Sequence, residues 1–180
     1  MEANSEKLLQ QAITAHKAGK LKEAEHLYRS ILKIHPNHPD ANHNLGVLAV
    51  SISKIKEALP YFKKALKVNP NIEQLWISYI DALIRTNSVD ELDEIIVSAK
   101  NNRSQFNSNK LASSLNNKGV QGKKSSGFNQ TKTFYEIALK INPLYPIAYN
   151  NLGNLLKENY IFSRQGQYFK KAICLSPSFP

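Results

Sequence analysis

The sequence predicts an all-α chain, a stack of short helical hairpins, and three observations carry that prediction. Prolines and glycines recur on a 34-residue beat: Pro36 and Pro70, Pro143 and Pro177, Gly119 and Gly153. Three times a glycine is followed 24 residues later by a proline, from Gly46 to Pro70, Gly119 to Pro143 and Gly153 to Pro177. Large apolar residues keep the interval: Tyr28, Phe62 and Ile96 are spaced by 34, Tyr135 follows after 39, and Phe169 after 34 again. A period of this length is the signature of a solenoid, because one such unit cannot bury its apolar faces alone.

The beat divides the chain into five copies. Residues 1–106 hold three, at 5–38, 39–72 and 73–106, and residues 112–180 hold two more, at 112–145 and 146–179. The single step of 39 predicts an insertion at 107–111. Each copy reads as two helices. In the second, Ala41, Leu45, Leu48 and Ile52 form one apolar stripe, and Ile55, Ala58, Leu59, Phe62, Ala65 and Leu66 form another. Asn69-Pro70 closes the pair, since proline disfavours an α conformation in the residue before it. Small residues at Gly46, Ala58 and Ala65 let the paired helices approach closely. Pro60 removes a backbone hydrogen bond unless it falls in the first turn of its helix. In the fourth copy Gly119, Gly122 and Gly127 cost roughly 1 kcal/mol each relative to alanine inside a helix, so its first helix is expected to fray.

Composition narrows the classes. The net charge of +10 is unevenly spread. Residues 1–100 carry 13 Lys/Arg against 12 Asp/Glu, and residues 101–180 carry 11 against 2. The excess comes from missing acids, and the longest basic runs are the pairs Lys63-Lys64, Lys123-Lys124 and Lys170-Lys171. That favours a solvated surface over nucleic-acid binding. No apolar run reaches the roughly 18 residues needed to span a bilayer, so no membrane partner is expected. One cysteine, Cys174, cannot form an internal disulfide, which fits a reducing, cytoplasmic setting. Its neighbours Ile173 and Leu175 predict packing for it, not nucleophilic chemistry.

Leu45-Gly46, Ala58, Phe62, Ala65 and Pro70 resemble the tetratricopeptide consensus in register, as do Leu152-Gly153, Phe169, Ala172 and Pro177. Gly19, Ala24, Tyr28 and Pro36 carry the resemblance in the first copy, and Trp76 holds the tryptophan place of the third. The third and fourth copies are degenerate: Leu92 and Ser104 stand where alanine and proline are expected, which implies a looser hairpin. The resemblance implies a right-handed α-solenoid whose first helices line a concave groove for a peptide or protein. The chain is also similar to the arrays of bacterial tetratricopeptide glycosyltransferases and of O-linked N-acetylglucosamine transferase-like proteins.

Within that groove the expected partner-binding residues are His43, Asn44, Val47, Ser78, Asn117, Asn150, Asn151 and Asn154. Equivalent places of the five copies hold Gln10, Asn44, Ser78, Asn117 and Asn151. An amide has donors and an acceptor, so a row of them can hold a peptide backbone without reading its sequence. The resemblance makes this similar to the asparagine ladder of those transferases; the alternative is that the row is merely solvated. A clamp for a terminal carboxylate, known in chaperone-cofactor repeats, is not expected, because the matching places Glu6, Gln10, Asn44, Gln74 and Ser78 supply no cation.

His35, His38 and His43 straddle a Pro36/Pro39 loop without completing a ligand set, so no metal is expected. The run from Gly119 to Ser125 lacks phosphate-loop spacing, and no GxSxG, HExxH or CxxC motif occurs. The reading is a non-enzymatic protein-interaction scaffold with no cofactor. The alternatives are a substrate-recognition array of a protein-modifying system, and weak nucleic-acid or acidic-surface binding by residues 101–180. Phe162, Tyr168, Phe169, Ile173 and Phe179 predict self-association through an uncovered last helix.

Overall fold

Short apolar stripes closed by Asn-Pro and His-Pro steps dictate short helices, and ten are found among the described residues. The computed structural model describes residues 2–101, 107–123 and 127–177, apart from the side chains of residues 2, 3, 162 and 163. They run α1 (Glu2–Lys17), α2 (Leu21–Ile34), α3 (Pro39–Ser51), α4 (Ile55–Val68), α5 (Glu73–Thr86), α6 (Val89–Asn101), α7 (Ser108–Gly122), α8 (Gly127–Ile141), α9 (Pro146–Glu158) and α10 (Phe162–Leu175). No strand occurs among the described residues. The fold is an all-α array of helical hairpins.

The chain divides into two units, Met1–Ser88 and Val89–Pro180. In the first, α1 pairs with α2 and α3 with α4, while α2 packs on α3 and α4 on α5. In the second, α7 pairs with α8 and α9 with α10, α8 packs on α9, and α6 packs on α8.

The hairpins close on a shared detail. A Cβ built on Gly46 would lie 2.7 Å from Phe62 Cε1, one on Gly119 2.6 Å from Tyr135 Cε1, and one on Gly153 2.6 Å from Phe169 Cε1. Each glycine lets an aromatic ring lie flat against a neighbouring backbone, at a distance no other residue permits. This explains why α7 is continuous over Ser108–Gly122 where fraying was expected. Gly119 and Gly122 are buried against α8, so close packing offsets their poor helix propensity. Asn107 caps α7, its Oδ1 accepting from the backbone N–H of Asn109 at 3.0 Å and of Lys110 at 3.2 Å. Residues 107–111, expected as an insertion, thus supply a cap and a first turn of α7.

Turns repeat as faithfully as cores. Gly19, Ser53, Asn87 and Tyr160 are all left-handed, with φ of 74°, 64°, 55° and 57°. The following N–H reaches back to a helical carbonyl in each case: Lys20 to Ala15 and Lys54 to Ala49, Ser88 to Leu83 and Ile161 to Leu156. This satisfies an orphan carbonyl at each helix end. Two prolines between hairpins, Pro36 and Pro70, also have their carbonyls filled. Asn42 Nδ2 donates to Pro36 O at 3.0 Å and Trp76 Nε1 to Pro70 O at 2.7 Å. Pro60 lies inside α4, beyond its first turn, so the helix loses one bond there. Ser104, Lys124 and Phe179, and the side chain of Phe162, lie outside the described residues.

Candidate functional site

The first helices of successive hairpins present polar side chains that the core does not consume. In the first unit these come from α3 and α5. His43 Nε2 meets Ser78 Oγ at 2.9 Å, and Gln74 Nε2 donates to the same hydroxyl at 3.2 Å. The His43 ring also lies against Phe62, with centroids 5.7 Å apart. Burial pushes the His43 imidazole below its usual pKa, opposed by the nearby Asp40 carboxylate. It is therefore a neutral, aromatic-backed wall at neutral pH. Asn44 and Val47 stand beside it, half-buried, and Asn44 has no hydrogen-bond partner among the described residues.

The second unit builds the same wall from α7 and α9. Asn151 Nδ2 donates to Asn116 Oδ1 at 2.9 Å. Further along, Lys123 Nζ contacts Glu158 Oε1 at 2.6 Å, and Tyr145 OH reaches Ser113 Oγ at 3.4 Å. Asn150 and Asn154 are half-buried, Asn117 is exposed, and none of the three has a hydrogen-bond partner among the described residues.

The contacts His43 to Ser78, Asn116 to Asn151 and Lys123 to Glu158 all join residues 35 apart, one more than the repeat. Neighbouring first helices are therefore offset by one residue where they meet, in both units. Sequence comparison by equivalent position misses this. It placed Asn117 in the row, whereas the residue that meets Asn151 is Asn116, which is only 2 % exposed. The signal was available as an amide or hydroxyl pair at a spacing of 35. Gln10 turns to its own helix, donating to Glu6 Oε1 at 3.0 Å, and borders a shallow depression with Lys7, Gln11 and Thr14.

The other candidates sort by their surroundings. His38 caps α3, its Nδ1 accepting from Ala41 N at 3.4 Å, and His35 follows the end of α2. Among the described residues no three His, Cys, Asp or Glu side chains gather as a metal site. Cys174 was expected to pack but is exposed, since α10 turns that side outward. Both acids of residues 101–180 are held in ion pairs, Glu136 with Lys132 at 3.1 Å and Glu158 with Lys123. Lys140 pairs with Asp93 at 2.9 Å, and Lys170 and Lys171 are exposed.

Residues 39–72 match the tetratricopeptide repeat family. No curated protein sequence matches the chain. Among solved structures it is similar to MamA, with 19% identity and a TM-score of 0.58 over 98% of this chain and 94% of that one. It is similar to YrrB, described as a TPR protein with an unusual peptide-binding site, with 17% identity and a TM-score of 0.57 over 95% and 86%. PilF of Pseudomonas aeruginosa is 18% identical, with a TM-score of 0.56 over 97% of this chain and 78% of that chain. These likenesses place the chain in the tetratricopeptide-repeat fold.

Proposed function

We propose that the chain is a protein-interaction scaffold that holds an extended peptide or a flat protein surface against its first helices, with no catalytic step of its own. The observation that carries this reading is the recurring polar wall: His43, Asn44 and Ser78 on α3 and α5, and Asn116, Asn151 and Asn154 on α7 and α9. His43 bonds Ser78 and Asn151 bonds the buried Asn116 between neighbouring first helices, while Asn44 and Asn154 make no hydrogen bond among the described residues. Binding then costs less side-chain entropy, and the amide groups left unpaired can meet a peptide backbone. The peptide-binding site described for YrrB supports the same reading by analogy of fold. The lone cysteine supports a reducing, cytoplasmic setting.

The test selects binders from a displayed library of random peptides. Asn44→Ala and Asn151→Ala should each weaken the selected peptides by about threefold to tenfold, the worth of a neutral hydrogen bond. Peptides that bind both variants as tightly as the parent would sink the assignment to these faces.

A further inference from the structure

We propose that the outward face of α2 and α4 is a docking surface for an anionic lipid bilayer. Ala24, Tyr28 and Ile31 of α2 are fully buried. Since residues three and four apart share a helix face, the line opposite them is Lys22, His26, Arg29 and Lys33, all exposed. Thirty-four residues on, α4 repeats the arrangement. Ala58, Phe62 and Ala65 are buried, and Lys56, Pro60, Lys63 and Lys67 lie opposite, all exposed. Arg29 Nη1 bonds Tyr61 OH at 3.4 Å, which sets the two helices side by side. The joined lines carry six cations, of which, among the described residues, Arg29 alone is paired with a carboxylate, that of Glu25, and Lys64 stands at their margin.

The acids of these helices are already engaged by local partners. Glu23 pairs with Lys20 at 3.6 Å, Glu25 with Arg29 at 2.9 Å and Glu57 with Lys54 at 3.4 Å. Lys22, Lys33, Lys56, Lys63 and Lys67 make no ion pair among the described residues. Counting charge by halves hid this patch, because the 12 acids of residues 1–100 cancel the bases in the total while lying on other faces.

The chemistry favours headgroup phosphates over other polyanions. Five of the six cations are lysines, compact charges on flexible stems, and no Phe, Tyr or Trp lies on either line to stack a base. Along each helix the charges are spaced by about 10 Å and about 6 Å on an outward line. Clusters of about four to eight exposed Lys/Arg on helical surfaces bind anionic leaflets. No helix among the described residues is long and apolar enough to cross a membrane, so the contact is peripheral. It also leaves the first-helix face of α3 and α5 open to a protein partner.

Co-sedimentation of the full chain with vesicles tests this. Phosphatidylcholine vesicles containing about one third phosphatidylserine should pull the chain down, and binding should fall steeply from about 50 to about 200 mM salt. Pure phosphatidylcholine vesicles should leave it in solution. Lys22→Gln/Lys56→Gln/Lys63→Gln/Lys67→Gln should lower partitioning by about a thousandfold, and the pair Lys56→Gln/Lys63→Gln by about thirtyfold. A control with the same charge loss in the second unit, Lys118→Gln/Lys157→Gln/Lys170→Gln/Lys171→Gln, should keep most of the binding. Circular dichroism checks that each variant retains its helices. The proposal is overturned if phosphatidylserine vesicles bind nothing at low salt, or if both quadruple variants lose equally. It is also overturned if the patch residues select duplex DNA or polyglutamate over vesicles.

Discussion

A single carbon is all that separates Gly46 from alanine, yet the hairpin has no room for it. The added Cβ would lie 2.7 Å from Phe62 Cε1 and 2.9 Å from Cδ1, and Phe62 is only 2 % exposed, so the ring cannot swing into solvent. Two effects compete. Alanine gains about 1 kcal/mol of helix propensity over glycine, while overpacking a core costs about 1–3 kcal/mol. The contact is with the body of a buried ring, so overpacking wins. Gly46→Ala should destabilise by about 1 kcal/mol in urea unfolding, and Phe62→Leu should reverse the sign of that substitution. An unchanged midpoint for Gly46→Ala would show that the ring yields. His43 gives a second prediction at this scale. Burial lowers its folded-state pKa below the ordinary 6.5, so the unfolded chain takes up a proton that the folded one refuses. Its contribution is therefore fully present above pH 6.5 and is lost as pH falls from there through the lowered folded value. His43→Gln should flatten the stability-pH curve in that window, and an unaltered slope would remove the linkage. His16 is lowered for the same reason and supplies the residual slope. The close approach at Gly46 was legible in the sequence. The partner of His43 was not, because it depends on the one-residue offset between hairpins.

Helix ends here obey a common rule that residue types only partly reveal. The left-handed turn after α1, α3, α5 and α9 falls to Gly19, Ser53, Asn87 and Tyr160, spaced by 34 in the first three. Only Gly19 announces it. Serine pays a steric cost at φ 64° that glycine avoids, and Ser53 is exposed with no packing to lose. Ser53→Gly should therefore stabilise the α3–α4 hairpin by about 1 kcal/mol, read as a raised urea midpoint with unchanged slope. A fall in midpoint would mean that the flexibility glycine adds to the unfolded chain outweighs the relief. The same element shows why α7 resisted prediction. Its glycines look like helix breakers until Tyr135 is seen lying on Gly119. Propensity is a local quantity, and the contact that outweighs it comes from the next helix.

Across the whole molecule, the period in the sequence made the hairpins readable, because stacked units repeat their buried positions and little else. The charged surface was less readable, since a count by halves averages over faces that point in different directions. The same nearest-neighbour logic sets how substitutions combine. Gly46→Ala and Gly153→Ala strain different rings, Phe62 and Phe169, in different units. With no shared partner their destabilisations should add to within about 0.5 kcal/mol. Asn116 and Asn151 share a hydrogen bond, and Asn116 is buried, so removing either leaves the other's amide under-satisfied. Asn116→Ala and Asn151→Ala should each cost about 1 kcal/mol, and the double variant should cost less than their sum by about 0.5–1.5 kcal/mol. Urea unfolding of the two double-variant cycles decides it. If the glycine pair couples as strongly as the asparagine pair, stability is not transmitted hairpin by hairpin, and the asparagine contact is no more specific than the rest of the stack.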